Sequence, residues 1–241
     1  MIWGLNVGGP GLNGGMTSTT TPILEQVSAL LAGACQSGEM GAGFDGLPAP
    51  ELVQLLLTAG VVQRRLDAVI TTVTGQVDDR DHRLSEERVS PRAGCRDVTD
   101  LLRRTLRVDT RTARRYGTAA QAVHRDRSPS SGAFLPARFD ALGAASRDGV
   151  LSVTGLLAAT RPLVAAGNRI RAADLAAADR VLADAARGLD LASADGDPGP
   201  APTVEELAAL AEHIVRVLDP DGKEPDDDRA NRNRGLTLGR E

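Results

Sequence analysis

Catalysis in this chain would have to draw on three histidines, two cysteines and a scatter of aspartates, and their spacing keeps them apart. His82, His124 and His213 fall in separate segments. A metal-dependent nuclease needs several His and Asn residues clustered so that they bind a metal and activate water, and no such cluster can be read. Cys35 and Cys95 have no Cys or His neighbour at metal-ligand spacing. The expectation for them is buried, reduced thiols in a cytoplasmic protein rather than a zinc site. H-E-x-x-H, G-x-S-x-G and P-loop patterns are missing. The acids of Asp219-Pro-Asp-Gly suggest a calcium loop, but Glu224 stands where such a loop requires glycine. Asp78, Asp79 and Asp81 flank Arg80 at a helix end and read as a solvated charge cluster. The sequence therefore predicts no catalytic residue, no metal site and no cofactor.

The glycines of MIWGLNVGGPGLNGG would cradle a phosphate only between a strand and a helix. Met1–Val7 is too short and too glycine-broken to be that strand. A disordered tail over 1–19 is expected instead, with Met16 as an alternative start. The tail has neither the basic nor the apolar region of a secretory signal, and no run of 18 apolar residues predicts a membrane span.

Arginine is the residue that clusters. Lys223 is the only lysine among 28 basic residues, a bias that a GC-rich genome explains. Position matters more than the bias. Between Arg92 and Arg127 stand ten arginines against four acids, a local +6 in a chain that totals −4, so the remainder carries −10. Within CRDVTDLLRRTLRVDTRTARRYGTAAQAV (95–123), Arg103 and Arg107 are spaced i, i+4, and Arg111, Arg114 and Arg115 are spaced i, i+3, i+4. Guanidinium forks suit phosphate oxygens and guanine edges, and a helix N-terminus adds a favourable dipole. These five arginines are the candidate contacts to duplex DNA. The alternative is a solvated face paired with acids of the long helix or of 219–228. Aromatic residues make up only 2% of the chain, so no stacking platform for single strands accompanies them.

The elements that must position these side chains are helical throughout. Thr20–Gly38 places Ile23, Val27, Leu30, Leu31 and Ala34 on one face. From Pro48, Leu52, Leu55, Ala59, Val62, Leu66, Val69 and Val73 alternate steps of three and four, as in a long bundle helix or a coiled-coil seam. SPRAG (90–94) breaks this pattern. Asp97–Arg107 and Thr110–His124 follow, joined by a tight turn like a helix-turn-helix, with Ala113, Tyr116, Ala120 and Val123 facing inward. After a loop at 128–132 come Pro136–Arg147, Ser152–Ala166 with a kink at Pro162, and Arg171–Arg187. DLASADGDPGPAP (190–202) reads as a linker. Thr203 with Glu206 forms a capping box for a helix to Leu218, and 225–235 reads as a last short helix with acids first and arginines last. The expected class is all-α: a multi-helix bundle of about eight to nine helices. Its helical domain covers 20–189, and 203–241 adds C-terminal helices to the same domain.

Several of these stretches resemble the 13E12-repeat family, a helical domain that precedes an HNH endonuclease domain. LDPDGKEPDDDRANRNRGLTLGRE (218–241) carries the most specific likeness. GCRDVTDLLRRTLRVDTRTARRYGTAAQAV, RDGVLSVTGLLAAT and TVEELAALAEHIVRVLDPDG extend it over about residues 50–241. The resemblance implies a truncated or split member: LTLGRE would lead into a hairpin, further helix and the Cys- and His-containing nuclease module. Nuclease activity is not carried over, because the residues that catalyse in the family have no counterpart in this sequence. The expectation is a non-catalytic helical portion of an HNH-endonuclease-type protein that contacts duplex DNA. Two alternatives stand beside it: an interaction or homo-oligomerisation module built on the 52–73 stripe, and a gene remnant without function.

Overall fold

The structure is a computed structural model that describes residues 19–36, 44–82, 85–128, 130–189 and 201–222. Among the described residues the chain is all-α, with nine α-helices and, apart from an isolated bridge between Arg127 and Phe134, no paired strand. The expected tail over 1–19 except Thr19, the expected linker except its last two residues, and the expected helix at 225–235 lie outside the described residues. No helix among the described residues is long and apolar enough to cross a membrane.

The chain divides into two compact units, Met1–Leu56 and Leu57–Glu241. The first unit contains α1 (Thr20–Gln36) and the opening turns of α2 (Ala49–Asp81). Helix α1 leaves Ile23, Leu30 and Leu31 exposed. Cys35 is exposed too, which corrects the expectation of two buried thiols: no described residue of α1 or its surroundings takes its side chain out of solvent.

In the second unit the rest of α2 is followed by α3 (Val89–Arg92), α4 (Val98–Leu106), α5 (Thr110–Val123), α6 (Asp140–Arg147), α7 (Val153–Ala166), α8 (Ala172–Ala186) and α9 (Val204–Leu218). The core is a bundle centred on α7, against which α9, α5 and α6 pack. Phe139, Leu142, Leu156, Leu163 and Leu182 are fully buried there, with Leu157 and Leu207 nearly so. Alanines at 119, 145, 159, 183 and 211 fill the remaining contacts. Small side chains let helix axes approach closely, so an apolar core can form with very few aromatics. The predicted capping box is present: Thr203 Oγ1 accepts from Glu206 N, and the Glu206 carboxylate accepts from Thr203 N at 2.7 Å. Pro162 does lie inside α7, where Ala158 loses its helical donor.

Three expectations change. The long helix does not bury its Leu and Val stripe. In the second unit Val62, Leu66 and Val73 are exposed, whereas Ala68, Thr71, Thr74 and Gly75 are buried. The reason is close approach plus polar ties. A Cβ at Gly75 would meet His124 Nδ1 at 2.7 Å, Arg64 Nε donates to Gly149 O at 2.6 Å, and Tyr116 Oη donates to Asp67 Oδ1 at 2.7 Å. The second change is at SPRAG, where the first residues form the short helix α3. Asp81 Oδ1 accepts from Val89 N at 2.6 Å and Ser90 N at 3.1 Å, so one aspartate of the supposed solvated cluster is a capping group. Third, the helix expected from Pro136 starts at Asp140. Its N-cap residue, Phe139, offers no capping side chain. Asp179 of α8 supplies the cap from a distance, accepting from Ala141 N at 2.8 Å and Leu142 N at 3.0 Å.

Candidate nucleic-acid interface

The two-helix unit forms as its sequence dictates. Asp97 caps α4 by accepting from Asp100 N, and Asp109 caps α5 by accepting from Thr112 N, each at 2.8 Å. Both are the N-cap residue type that satisfies the orphan donors of a first helical turn. Between the helices lie Arg107, Val108 and Asp109. Arg107 takes the left-handed conformation at φ 54°, a place where glycine is the usual occupant. Leu102 and Ala113 are buried and join the pair.

Helix α5 carries out three tasks with three faces. Ala113, Ala119, Ala120 and Ala122 are buried. Tyr116 and Arg115 tie the helix to its neighbours: Tyr116 to Asp67 of α2, and Arg115, through a guanidinium N–H, to Thr154 Oγ1 of α7. Burial and the adjacent Asp67 carboxylate push the Tyr116 hydroxyl far above its ordinary value, so it remains a donor. The third face is exposed and contains Arg111, Arg114, Thr118 and Gln121 in one row.

Of the five predicted arginines, Arg103, Arg107, Arg111 and Arg114 are exposed and make no ion pair with any described residue. Arg115 is half-buried and committed to Thr154. The acids nearby are engaged locally. Asp97 pairs with Arg96 and Asp100 with Arg104, at 3.2 and 3.1 Å. The Asp109 carboxyl is held below the usual aspartate value, first by the Thr112 backbone N–H and then by its hydroxyl. The alternative of pairing with acids of the long helix is therefore not realised among the described residues. The acids of 223–228 lie outside them.

Sequence reasoning missed Thr118 and Gln121, although both follow Arg114 at helical spacing and could have been found from it. Amides and hydroxyls of this kind read base edges where guanidiniums hold phosphates. The histidines are less scattered than expected. His82 and His124 line one cavity with Asp78, Asp79 and Asp126, while His213 is exposed on α9. No three His, Cys, Asp or Glu residues among those described could hold a metal ion together.

Two uncharacterized proteins of Mycobacterium tuberculosis are similar to this chain: MT1160 of strain CDC 1551 / Oshkosh and Rv1128c of strain ATCC 25618 / H37Rv. Each is 31% identical over 227 residues, covering 94% of this chain and 48% and 45% of the relative, respectively. The chain thus spans about half the length of the curated relatives it matches. No family model matches, and no solved structure matches.

Proposed function

We propose that this chain is a non-catalytic helical portion of an HNH-endonuclease-type protein of the 13E12-repeat kind, and that it contacts duplex DNA through α4 and α5. The observation that carries the reading is the display of four exposed guanidiniums, Arg103, Arg107, Arg111 and Arg114, with no ion pair to a described residue, on two helices and the three-residue turn that joins them. Neighbouring arginines show the contrast: Arg96, Arg104 and Arg115 all have partners. An exposed cation in water costs little to keep, and it gains when it displaces counterions from a phosphate backbone. In this reading Arg103, Arg107 and Arg111 take phosphates. Arg114, Thr118 and Gln121 lie along the groove-facing row of α5.

A salt titration of duplex binding tests the proposal. Affinity should fall steeply as salt rises, and the log–log slope should flatten by about one for each lost phosphate contact in Arg103→Ala, Arg107→Ala and Arg111→Ala. Absence of duplex binding at low salt, or a slope untouched by the triple variant, removes the reading.

A second reading is supported by the exposed Val62, Leu66 and Val73 on α2. A heptad-spaced apolar row left in solvent favours self-association. Light scattering on the eluting protein decides it: a monomer at high concentration ends it, and a dimer abolished by Leu66→Glu sustains it.

A further inference from the structure

Helices α2, α5 and α6 enclose a cavity of about 240 Å³ that the arginine face does not use. Ala68, Ala120 and Val123 give it an apolar wall, Phe134, Arg125 and Arg147 line it as well, and among the described residues no Asp or Glu does. Arg147 makes no ion pair with any described residue, whereas Arg125 pairs loosely with Asp140 at 4.0 Å and donates from Nε to Leu135 O at 3.3 Å, leaving its other guanidinium N–H groups to assist. The Phe134 ring is half exposed and carries the Arg127 guanidinium 4.1 Å from its centroid.

An independent observation lies in the α2 wall. Thr72 and Thr74 turn their hydroxyls back on the helix, donating to Ala68 O at 2.8 Å and Ile70 O at 2.7 Å. Thr71, between them in the series and only 2% exposed, does not: its Oγ1 is buried without a hydrogen-bond partner. A buried hydroxyl left unmatched forfeits its hydration without replacing it, which disfavours the fold. Nothing in the local helix demands that cost, because the i−4 carbonyl is open to a threonine at any such position.

We propose that this cavity binds a small aromatic carboxylate. The carboxylate pairs with Arg147, assisted by Arg125, the ring packs against Val123 and Phe134, and the Thr71 hydroxyl meets the ligand's polar edge. A cavity of about 240 Å³ suits a ligand the size of a single substituted ring. The proposal is independent of the DNA reading.

Calorimetry on the full chain with benzoate tests it, with inorganic phosphate, benzyl alcohol and benzylamine as comparison probes. Benzoate should saturate one site per chain. Phosphate and benzyl alcohol should bind at least about tenfold more weakly, each lacking one half of the recognition, and benzylamine should not bind. Arg147→Gln should weaken benzoate about tenfold or more with its helical circular dichroism intact. Thr71→Val should weaken benzoate several-fold without lowering the melting temperature, since the unpaired hydroxyl goes with it. Non-saturating benzoate, equal affinity for phosphate, or wild-type affinity in both folded variants overturns the proposal. Duplex affinity in Arg147→Gln should be unchanged, so a failure here leaves the arginine-face reading to be judged separately.

Discussion

The two ends of helix α5 belong to different kinds of protein surface. Its C-terminal half joins α6, α7, α8 and α9 in a core where even a carboxylate, Asp179, is 5% exposed and hydrogen-bonded to two backbone donors. Its N-terminal half joins α4 in a pair whose shared core is little more than Leu102 and Ala113, and four of whose arginines face water without an ion pair to any described residue. In the first region a polar group is tolerated only where its partners are fixed. In the second, guanidiniums stay free because solvation satisfies them at no cost in packing. If the arginine face binds duplex as proposed, stability and recognition are located separately, and substitutions should move one without the other.

The largest effect is expected in the core. Leu156→Ala removes a fully buried side chain of α7 and should cost about 3 kcal/mol in denaturant unfolding. Asp179→Ala uncovers two backbone donors at the start of α6 and should cost about 2 kcal/mol. If either variant melts like the wild type, the core region is not what holds the chain. Neither should alter the salt slope of duplex binding while the protein remains folded.

On the other side, Arg111→Ala with Arg114→Ala should leave the melting curve within about 0.5 kcal/mol of wild type, as for exposed surface positions. It should weaken duplex binding throughout. Thr118→Ala and Gln121→Ala should instead relax sequence preference by about 1–3 kcal/mol per contacted base, with the salt slope unchanged. Arg107 sharpens the comparison within a single residue. Arg107→Gly should stabilise the chain by about 1 kcal/mol, because glycine accepts φ 54° freely, and it should still weaken duplex binding.

The smallest expected effects are in pH dependence, and they have opposite signs in the two regions. The Asp100 backbone N–H holds the Asp97 carboxyl below the usual 3.8, and the Thr112 backbone N–H does the same for Asp109. Their caps are therefore fully effective above pH 3.8 and are lost as pH falls through the lower folded values. The stability difference between wild type and Asp109→Ala should disappear in that acid range. Burial raises the Asp179 carboxyl above 3.8, against the pull of its two backbone donors. Its contribution runs the other way: its ionised form weighs against the fold as pH rises through the raised value, and protonation relieves it. Exchange protection in the first turn of α5 should fall in that acid range while protection in the core of α7 persists.

Much of the fold was legible because helix signals are local. The capping box at Thr203 and Glu206, the aspartates ahead of α4 and α5, and the turn at 107–109 each lie within four residues of the atoms they satisfy. Helical spacing groups Arg111 with Arg114 on α5, whereas Arg107, four residues after Arg103, falls past the end of α4 in the left-handed conformation. Periodicity could not tell which of the arginines would find partners. Arg115 differs from Arg114 only in meeting Thr154, a residue 39 positions away.

What the residues alone determined is therefore the all-α class, most helix ends, and a dense run of arginine on one helical pair, since propensity, capping and spacing act over a turn or two. Tertiary structure alone decided which face of α2 is buried, that Asp179 caps a helix begun 39 residues earlier, and that Thr71 lies unmatched beside a cavity. Those outcomes depend on close approach between distant segments. At Gly75 the space left by a missing Cβ outweighed a regular stripe of leucine and valine.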